Sequence, residues 1–379
     1  MKFLSYWIAT LVTPPIQQHH DFTISSTQQY TANVSPLQKG IFTWLADSNT
    51  APSADDIDVL KQAFAAFYNT QNLDLSEQLL TQAIQRWQAQ PADELAGLYR
   101  VRGDCYTQRE EAEKAVADYT QAIQLLEGNE QADPIELPRS ILGRARALKS
   151  LKKGELAATD YEQALKLFST ERSEATDAEL VQDGILKNPY AAWEWGTSLR
   201  MKGDWTGAAT VHALSADAFE QIGDRPHFLI SQIDYGIDLA ASNQNEKAEQ
   251  VLKDIIPKTT GVEARDVALL QRVIAKEGEG RMALASLLWE DGNRVEAEQY
   301  LGDACLRLDQ MQADAIARLQ KESIGTDPAT AKGLLYSIDD SIAAMDMTCS
   351  RFRKESFLEE QLGWPQTLRD KVIRLENLQ

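Results

Sequence analysis

The stretch of this sequence that decides its fold is GDCYTQREEAEKAVADYTQA, residues 103–122. A small residue, Gly103, is followed three positions later by Tyr106 and twelve positions later by Ala115. Tyr119 and Ala122 lie four and seven positions beyond Ala115. Small residues at helical spacing let two helix backbones approach closely, and an aromatic residue at the same spacing packs between them. The stretch therefore predicts a tight helical hairpin.

The same spacing recurs along the chain when the small residue that opens the second helix is aligned. These residues are Ser76, Ala115, Ala157, Ala208, Ala248 and Ala297. The residues twelve positions upstream are Phe64, Gly103, Ala145, Gly196, Gly236 and Ala285. The residues four positions downstream, called knob residues below, are Leu80, Tyr119, Tyr161, His212, Leu252 and Leu301. His212 is the one polar exception among these six knobs.

This recurrence is typical of tetratricopeptide repeats, in which each two-helix unit buries its apolar face against its neighbours. Successive units are 39, 42, 51, 40 and 49 residues apart, longer than the roughly 34 residues of that repeat. We therefore expect insertions between units and lengthened helices. The prediction is an all-α, right-handed α-solenoid of about six helical hairpins over residues 50–325, closed by a C-terminal helical cap over 326–379. Residues 262–275 add an amphipathic helical pattern.

Composition agrees with an all-α interaction protein. The chain has 379 residues, 43% of them hydrophobic, and a formal net charge of -19. Such a charge argues against nucleic-acid binding, because the chain would repel phosphates. Cys105, Cys305 and Cys349 are far apart and have no metal-ligand spacing, so we expect three buried, unpaired cysteines.

The first forty residues differ from the rest. An apolar run from Phe3 to Val12 follows Lys2 and is broken by Thr13 and Pro14. The run has the length of a signal-peptide core and is too short to span a membrane. The following stretch to residue 40 is rich in Ser, Thr and Gln. We read residues 1–40 as a targeting leader or a disordered segment, and we expect no transmembrane span in the mature chain.

No pattern in the sequence indicates catalysis. It lacks a Walker loop, a G-x-S-x-G elbow and an H-E-x-x-H motif. The prediction is a non-enzymatic protein without catalytic residues, cofactor or metal. The rival interpretation is an enzyme or small-ligand-binding protein that uses polar groups around His212, Trp205 and Asp204. A packed histidine at a knob position is the simpler interpretation of His212.

A binding surface can be predicted from the helix spacing. In a tetratricopeptide array the first helix of each hairpin lines the concave groove, and residues 135–156 contain six basic and two acidic residues. Arginine can hold carboxylates, and tyrosine or tryptophan can supply flat anchors for a peptide. The alternative is that these are side chains on solvated helix faces. The predicted groove residues are Arg100, Asp104, Arg139, Arg146, Lys149, Tyr190, Trp193, Thr197 and Arg200.

Several stretches in the C-terminal half resemble a group of chloroplast-targeted tetratricopeptide proteins from plants and algae. They are NPYAAWEWG (188–196), GDW (203–205), IGDRP (222–226), RVIAKEGEGR (272–281) and LGWP (362–365). The resemblance implies a plastid helper or scaffold without catalytic residues, with photosynthetic assembly components among its partners. Together with the leader, it implies plastid import by a secretory-type signal; the alternatives are the secretory pathway and the cytoplasm.

Overall fold

The computed structural model describes residues 54–86, 92–130, 132–169, 175–262, 267–323 and 348–375. Within these ranges all regular secondary structure is helical. The predicted leader, residues 1–40, lies outside the described residues, as do residues 326–347 of the predicted cap. The chain divides into two compact units between Leu167 and Phe168, and the predicted repeat domain therefore includes parts of both.

The described residues of the N-terminal unit form three helical hairpins. Their helices are α1 (Ala54–Tyr68), α2 (Leu73–Arg86), α3 (Ala92–Gln108), α4 (Ala112–Leu126), α5 (Glu136–Ser150) and α6 (Gly154–Phe168). Helices α1 to α5 pack in sequential order. Helix α6 is joined to α5 by the guanidinium of Arg144, whose Nε and Nη2 donate to Asp160 at 2.7 and 2.9 Å.

Where the structure describes it, the C-terminal unit contains three more hairpins and two additional α-helices. Its helices are α7 (Asp177–Lys187), α8 (Pro189–Lys202), α9 (Trp205–Gln221), α10 (Arg225–Ala241), α11 (Asn245–Ile255), α12 (Val267–Glu290), α13 (Arg294–Ser323) and α14 (Gln366–Ile373). The hairpins are α8 with α9, α10 with α11, and α12 with α13. The predicted all-α, tetratricopeptide-like fold of six hairpins is confirmed.

The irregular spacing of the units has two structural causes. Helix α7 is inserted before the fourth hairpin, where it contacts α8 and α9, and it accounts for the 51-residue spacing. Before the sixth hairpin, a 3-10 turn at Ile256–Thr259 precedes the long helix α12. The helical pattern predicted over 262–275 is confirmed from Val267 onward, but it is not an extra element, because it forms the first part of α12, which runs unbroken from Val267 to Glu290.

The aligned glycines pack against the knob residues of their own hairpins. A Cβ atom added to Gly103 would lie 3.0 Å from the Tyr119 ring, and one added to Gly196 would lie 2.4 Å from Nε2 of His212. The six aligned small residues that open the second helices are all 0% exposed. Close backbone approach at these points explains why the template demands small residues.

The described part of the predicted cap packs on the C-terminal unit. Helix α14 contacts α12 and α10, and Trp364, Leu368 and Val372 are buried in the same apolar core as those helices. A buried apolar cluster of this size stabilises the end of the repeat array, because unpaired repeats leave apolar surface in water.

The expectation of three unpaired cysteines is wrong for two of them. Cys305 on α13 and Cys349 form a disulfide across a sequence separation of 44 residues. Cys105 is free and buried. The sequence spacing did not predict this pair. The two cysteines lie close together only because the 3-10 turn Cys349–Arg353 packs against α13.

In the described ranges, every helix is either too short or too polar to cross a membrane.

Candidate functional site

The nine predicted groove residues divide between the two units. Five lie on α3 and α5 of the N-terminal unit: Arg100, Asp104, Arg139, Arg146 and Lys149. Four lie on α8 of the C-terminal unit: Tyr190, Trp193, Thr197 and Arg200.

In the N-terminal unit, Arg100 organises a cluster of charges between α3 and α5. Its Nε donates to Glu136 at 2.8 Å and its Nη1 donates to Asp104 at 3.0 Å. Nη2 of this buried side chain has no hydrogen-bond partner among the described residues. On the other side of Glu136, Nη1 of Arg139 donates to Oε1 at 3.3 Å. One carboxylate therefore links the arginines of two hairpins.

Burial and charge oppose each other at this cluster. Burial lowers the pKa of Arg100, but Asp104 and Glu136 outweigh it, so the net pKa is raised and the guanidinium stays charged. Burial raises the pKa of Asp104, although Arg100, the Tyr119 hydroxyl and Arg146 favour its charged form. The Tyr119 hydroxyl donates to Asp104 at 2.7 Å. Asp104 thus has internal partners on both sides.

Tyr68, at the end of α1, belongs to the same cluster and was missed by the sequence analysis. Burial raises the pKa of its phenol, and Arg100 acts on it as a neighbouring positive charge. The residue is nevertheless 49% exposed. Its place at the last position of the first helix of a hairpin, after Phe67, could have indicated a surface aromatic. The basic face is defined here as Tyr68, Arg100, Asp104, Glu136, Arg139 and Arg146.

Lys149 does not share the surroundings of the arginines. It is buried, and its Nζ lies 6.0 Å from the centre of the Tyr161 ring, the knob of its own hairpin. Arg144, one of the six basic residues counted in residues 135–156, pairs with Asp160. The accessible positive charge on α5 is consequently concentrated on Arg139 and Arg146, which are both partly exposed.

In the C-terminal unit, Trp193 and Arg200 are interior residues. Nε1 of Trp193 donates to Asp234 at 2.8 Å. Nη1 of Arg200 donates to the same carboxylate at 2.9 Å, and its Nε donates to Asp238. The two carboxylates that Arg200 contacts, Asp234 and Asp238, lie on α10 and are 0–1% exposed. These contacts bind the first helix of one hairpin to the first helix of the next.

His212 and Lys276 complete this buried network. Nδ1 of His212 and the Asp238 carboxylate are 2.6 Å apart, and Nε2 lies 3.2 Å from the Trp193 carbonyl oxygen. Lys276 Nζ lies 3.1 Å from Asp234. Burial raises the pKa of Asp234, but Arg200, Lys276 and His212 outweigh it and hold the pKa well below its usual range. His212 is thus the satisfied packed histidine that its knob position indicated.

Tyr190 and Thr197 also have internal partners. The Tyr190 hydroxyl donates to Asp224 at 2.5 Å, and its ring packs edge-on against Phe219. The Thr197 hydroxyl donates to the Trp193 carbonyl oxygen at 3.2 Å. The predicted groove residues of this unit therefore form packing and hydrogen-bond contacts within it.

The rival pocket around His212, Trp205 and Asp204 is used structurally. Asp204 caps α9 by accepting from the Gly207 N–H at 2.8 Å, while His212 is fully buried. Trp205 lies against the Arg200 guanidinium, 6.0 Å from ring centre to Cζ. In the part of the chain that the structure describes, no group of three His, Cys, Asp or Glu side chains has the geometry to hold a metal ion.

Comparison with known proteins yields distant structural similarities only. No protein-family model and no curated protein sequence matches the chain. The chain is similar in structure to BtubC from P. vanneervenii, at 13% identity, with 73% of this chain and 95% of that chain covered and a TM-score of 0.45. The chain is also similar in structure to the apo form of RapI, at 16% identity, with 74% of this chain and 95% of that chain covered and a TM-score of 0.45.

A tetratricopeptide repeat protein from Parabacteroides merdae is similar at 15% identity, with 76% of this chain and 99% of that chain covered and a TM-score of 0.36. Similarities at these identities and TM-scores carry no argument about function.

Proposed function

We propose that this protein is a non-enzymatic interaction scaffold that binds an acidic peptide segment on the basic face of its N-terminal unit. The observation that carries the proposal is the local reversal of charge. Arg100, Arg139 and Arg146 outnumber Asp104 and Glu136 in a chain whose net charge is -19. Opposite charges would steer an acidic partner to this face and away from the rest of the surface.

In the basic face, a buried group holds the geometry and exposed groups are available to contact a partner. Arg100 is held by Asp104 and Glu136, so it fixes the geometry of the cluster. Arg139 has a side chain that is 35% exposed and retains donors for a partner carboxylate. Tyr68 offers an exposed aromatic ring beside these charges. Aromatic and arginine side chains together are the usual anchors of a peptide interface.

The setting that we propose is plastid biogenesis, with photosynthetic assembly components as partners. Support for it comes from the family resemblance of the C-terminal half and from the leader pattern of residues 1–40. The Cys305–Cys349 disulfide supports an oxidising compartment reached through a secretory-type signal, because such bonds rarely persist in reducing cytosol. Fusion of residues 1–40 to a fluorescent reporter in an algal host tests this setting.

The binding proposal can be tested with fluorescent synthetic peptides of equal length and apolar composition that carry acidic, neutral or basic residues. We expect the acidic peptide to bind most tightly and its affinity to fall as salt rises. The double variant Arg139→Gln/Arg146→Gln should weaken it roughly threefold to thirtyfold, since two exposed ion pairs are lost.

The matched control is Lys152→Gln/Lys153→Gln, which removes the same charge from two exposed lysines between α5 and α6. This control should bind like the parent. All variants must retain the helical signal and melting temperature of the parent. Equal affinity for the acidic and basic peptides, or equal losses in the two double variants, would refute the proposed face.

A further inference from the structure

The disulfide between Cys305 and Cys349 joins the last hairpin to the C-terminal segment, defined here as residues 348–375. This segment is held mainly by apolar contacts: Phe352, Leu358, Trp364, Leu368 and Val372 are 0–1% exposed. We propose that the disulfide is a thiol-sensitive latch, and that its reduction releases the C-terminal segment from the C-terminal unit.

Two polar contacts tie the C-terminal end of the segment to the unit. Arg374 pairs with Glu290 at 2.9 Å through side chains that are 57% and 34% exposed. Lys371 Nζ donates to Asn245 at 3.2 Å. An exposed ion pair such as Arg374–Glu290 contributes little to stability. At the other end of the segment, the disulfide ties Cys349 covalently to α13.

Chain connectivity gives the bond its effect. The bond closes a loop of the chain across a sequence separation of 44 residues. Closing a loop of that length costs conformational entropy when the unfolded chain folds and packs the segment on the unit. The disulfide removes this cost from the packed state, since it restricts the unfolded chain in advance.

The two cysteines of the disulfide differ in exposure, and this difference decides which sulfur atom a thiolate attacks. Cys305 is partly exposed and Cys349 is 1% exposed. A dithiol reductant attacks Sγ of Cys305 as a thiolate, and Cys349 leaves as a thiolate that takes up a proton. The second thiol of the reductant then displaces Cys305. The cystine gains two electrons and two protons, and the dithiol becomes a cyclic disulfide.

Release of the segment would uncover the apolar surfaces of α10 and α12 on which α14 packs. An apolar area that was part of the core then faces water, where it favours association with another apolar surface. The redox state of one bond thus controls whether this end of the C-terminal unit is closed.

Hydrogen exchange on the full chain tests the latch directly. After treatment with dithiothreitol, amides of residues 348–375 should exchange at least tenfold faster, while those of α1 to α6 should not change. Binding of a hydrophobic dye should rise. The melting temperature of the C-terminal unit should fall by roughly 5–10 °C.

Variants separate the latch from a general effect of the reductant. Cys349→Ser without reductant should reproduce the faster exchange, and Cys105→Ser should behave like the oxidised parent, because Cys105 is unpaired in the N-terminal unit. If Cys349→Ser does not fold, oxidised and reduced parent protein still decide the matter. Equal exchange in the two redox states, or three titratable thiols in protein prepared without reductant, would overturn the proposal.

Discussion

The second hairpin and the fourth hairpin use one packing template for different purposes. Gly103 receives the Tyr119 ring and Gly196 receives the His212 ring at equivalent positions. The hydroxyl of Tyr119 donates to Asp104 within its own hairpin, whereas His212 contacts Asp238 of the following hairpin. The Tyr119 knob therefore contacts a partly exposed charge cluster, and the His212 knob belongs to a buried network between hairpins.

The residues three positions before Gly103 and Gly196 show the same contrast between a partly exposed cluster and a buried network. Arg100 occupies that position in the second hairpin and Trp193 occupies it in the fourth. Arg100 keeps a donor without a partner among the described residues, while the single donor of Trp193 is bonded to Asp234. The repeat therefore fixes the backbone position of a side chain, whereas the neighbouring residues decide whether that side chain is available to a partner or is bonded in the interior.

The largest expected effect is on stability and separates the two clusters. Arg200→Ala should destabilise the C-terminal unit by about 3–5 kcal/mol, because Asp234 and Asp238 are left buried without their main countercharge. Arg139→Ala should cost no more than about 1 kcal/mol, since its pair with Glu136 is partly solvated. Chemical denaturation of both variants measures the difference. Similar losses would show that the two clusters are not distinct in kind.

A second prediction concerns the glycine beneath His212. Gly196→Ala should destabilise by about 1–3 kcal/mol, because its Cβ would lie 2.4 Å from a buried ring atom. The matched control is Gly97→Ala in α3, whose Cβ would meet nothing within 4 Å. The control should be neutral or stabilising by about 0.5–1 kcal/mol, since alanine favours a helix over glycine. Thermal unfolding that ranks the two variants the other way contradicts the knob packing.

A third prediction follows from the pKa of Asp234, which lies below its unfolded value because Arg200, Lys276 and His212 outweigh its burial. Its charged form stabilises the native state above the unfolded pKa near 4, and this stability is lost as pH falls through that value toward the folded pKa. Between about pH 5 and 2, the parent should lose about 1–2 kcal/mol more stability than Asp234→Asn. Denaturation series at several pH values check this. Parallel pH profiles would exclude Asp234 as the acid-sensitive group.

The smallest expected effect tests the status of Lys149. Lys149→Met should destabilise by about 0.5–1 kcal/mol by removing the cation from the Tyr161 ring. Its affinity for the acidic peptide should stay close to that of the parent, because the charge lies inside the hairpin. Binding and denaturation measured on the same preparation decide the point. A loss of affinity equal to that of the arginine variants would return Lys149 to the binding face.

The hairpins could be predicted because packing between neighbouring helices depends on small residues at fixed local spacing. Gly103, Ala115 and Tyr119 sit within one stretch of sequence, and their order is preserved in the other units. The disulfide could not be predicted in this way, since Cys305 and Cys349 are brought together by packing of the C-terminal segment on α13.

The candidate site was predictable in part. Spacing identified Arg100, Arg139 and Arg146 as residues of the first helices. It did not show that Arg200 and Trp193 would be bonded to carboxylates of α10, because those partners lie 34 to 41 positions away. Charge counting had the same limit, because it included Arg144 among the six basic residues of 135–156 although Asp160 pairs with it.

The central claim is that the basic face, and not the buried network of the C-terminal unit, is the binding surface. Hydrogen exchange of the full chain with and without saturating acidic peptide tests it most directly. We predict slower exchange in α3 and α5, residues 92–108 and 136–150, and at the end of α1. Slower exchange confined to α8 and α10, residues 189–202 and 225–241, would contradict the account.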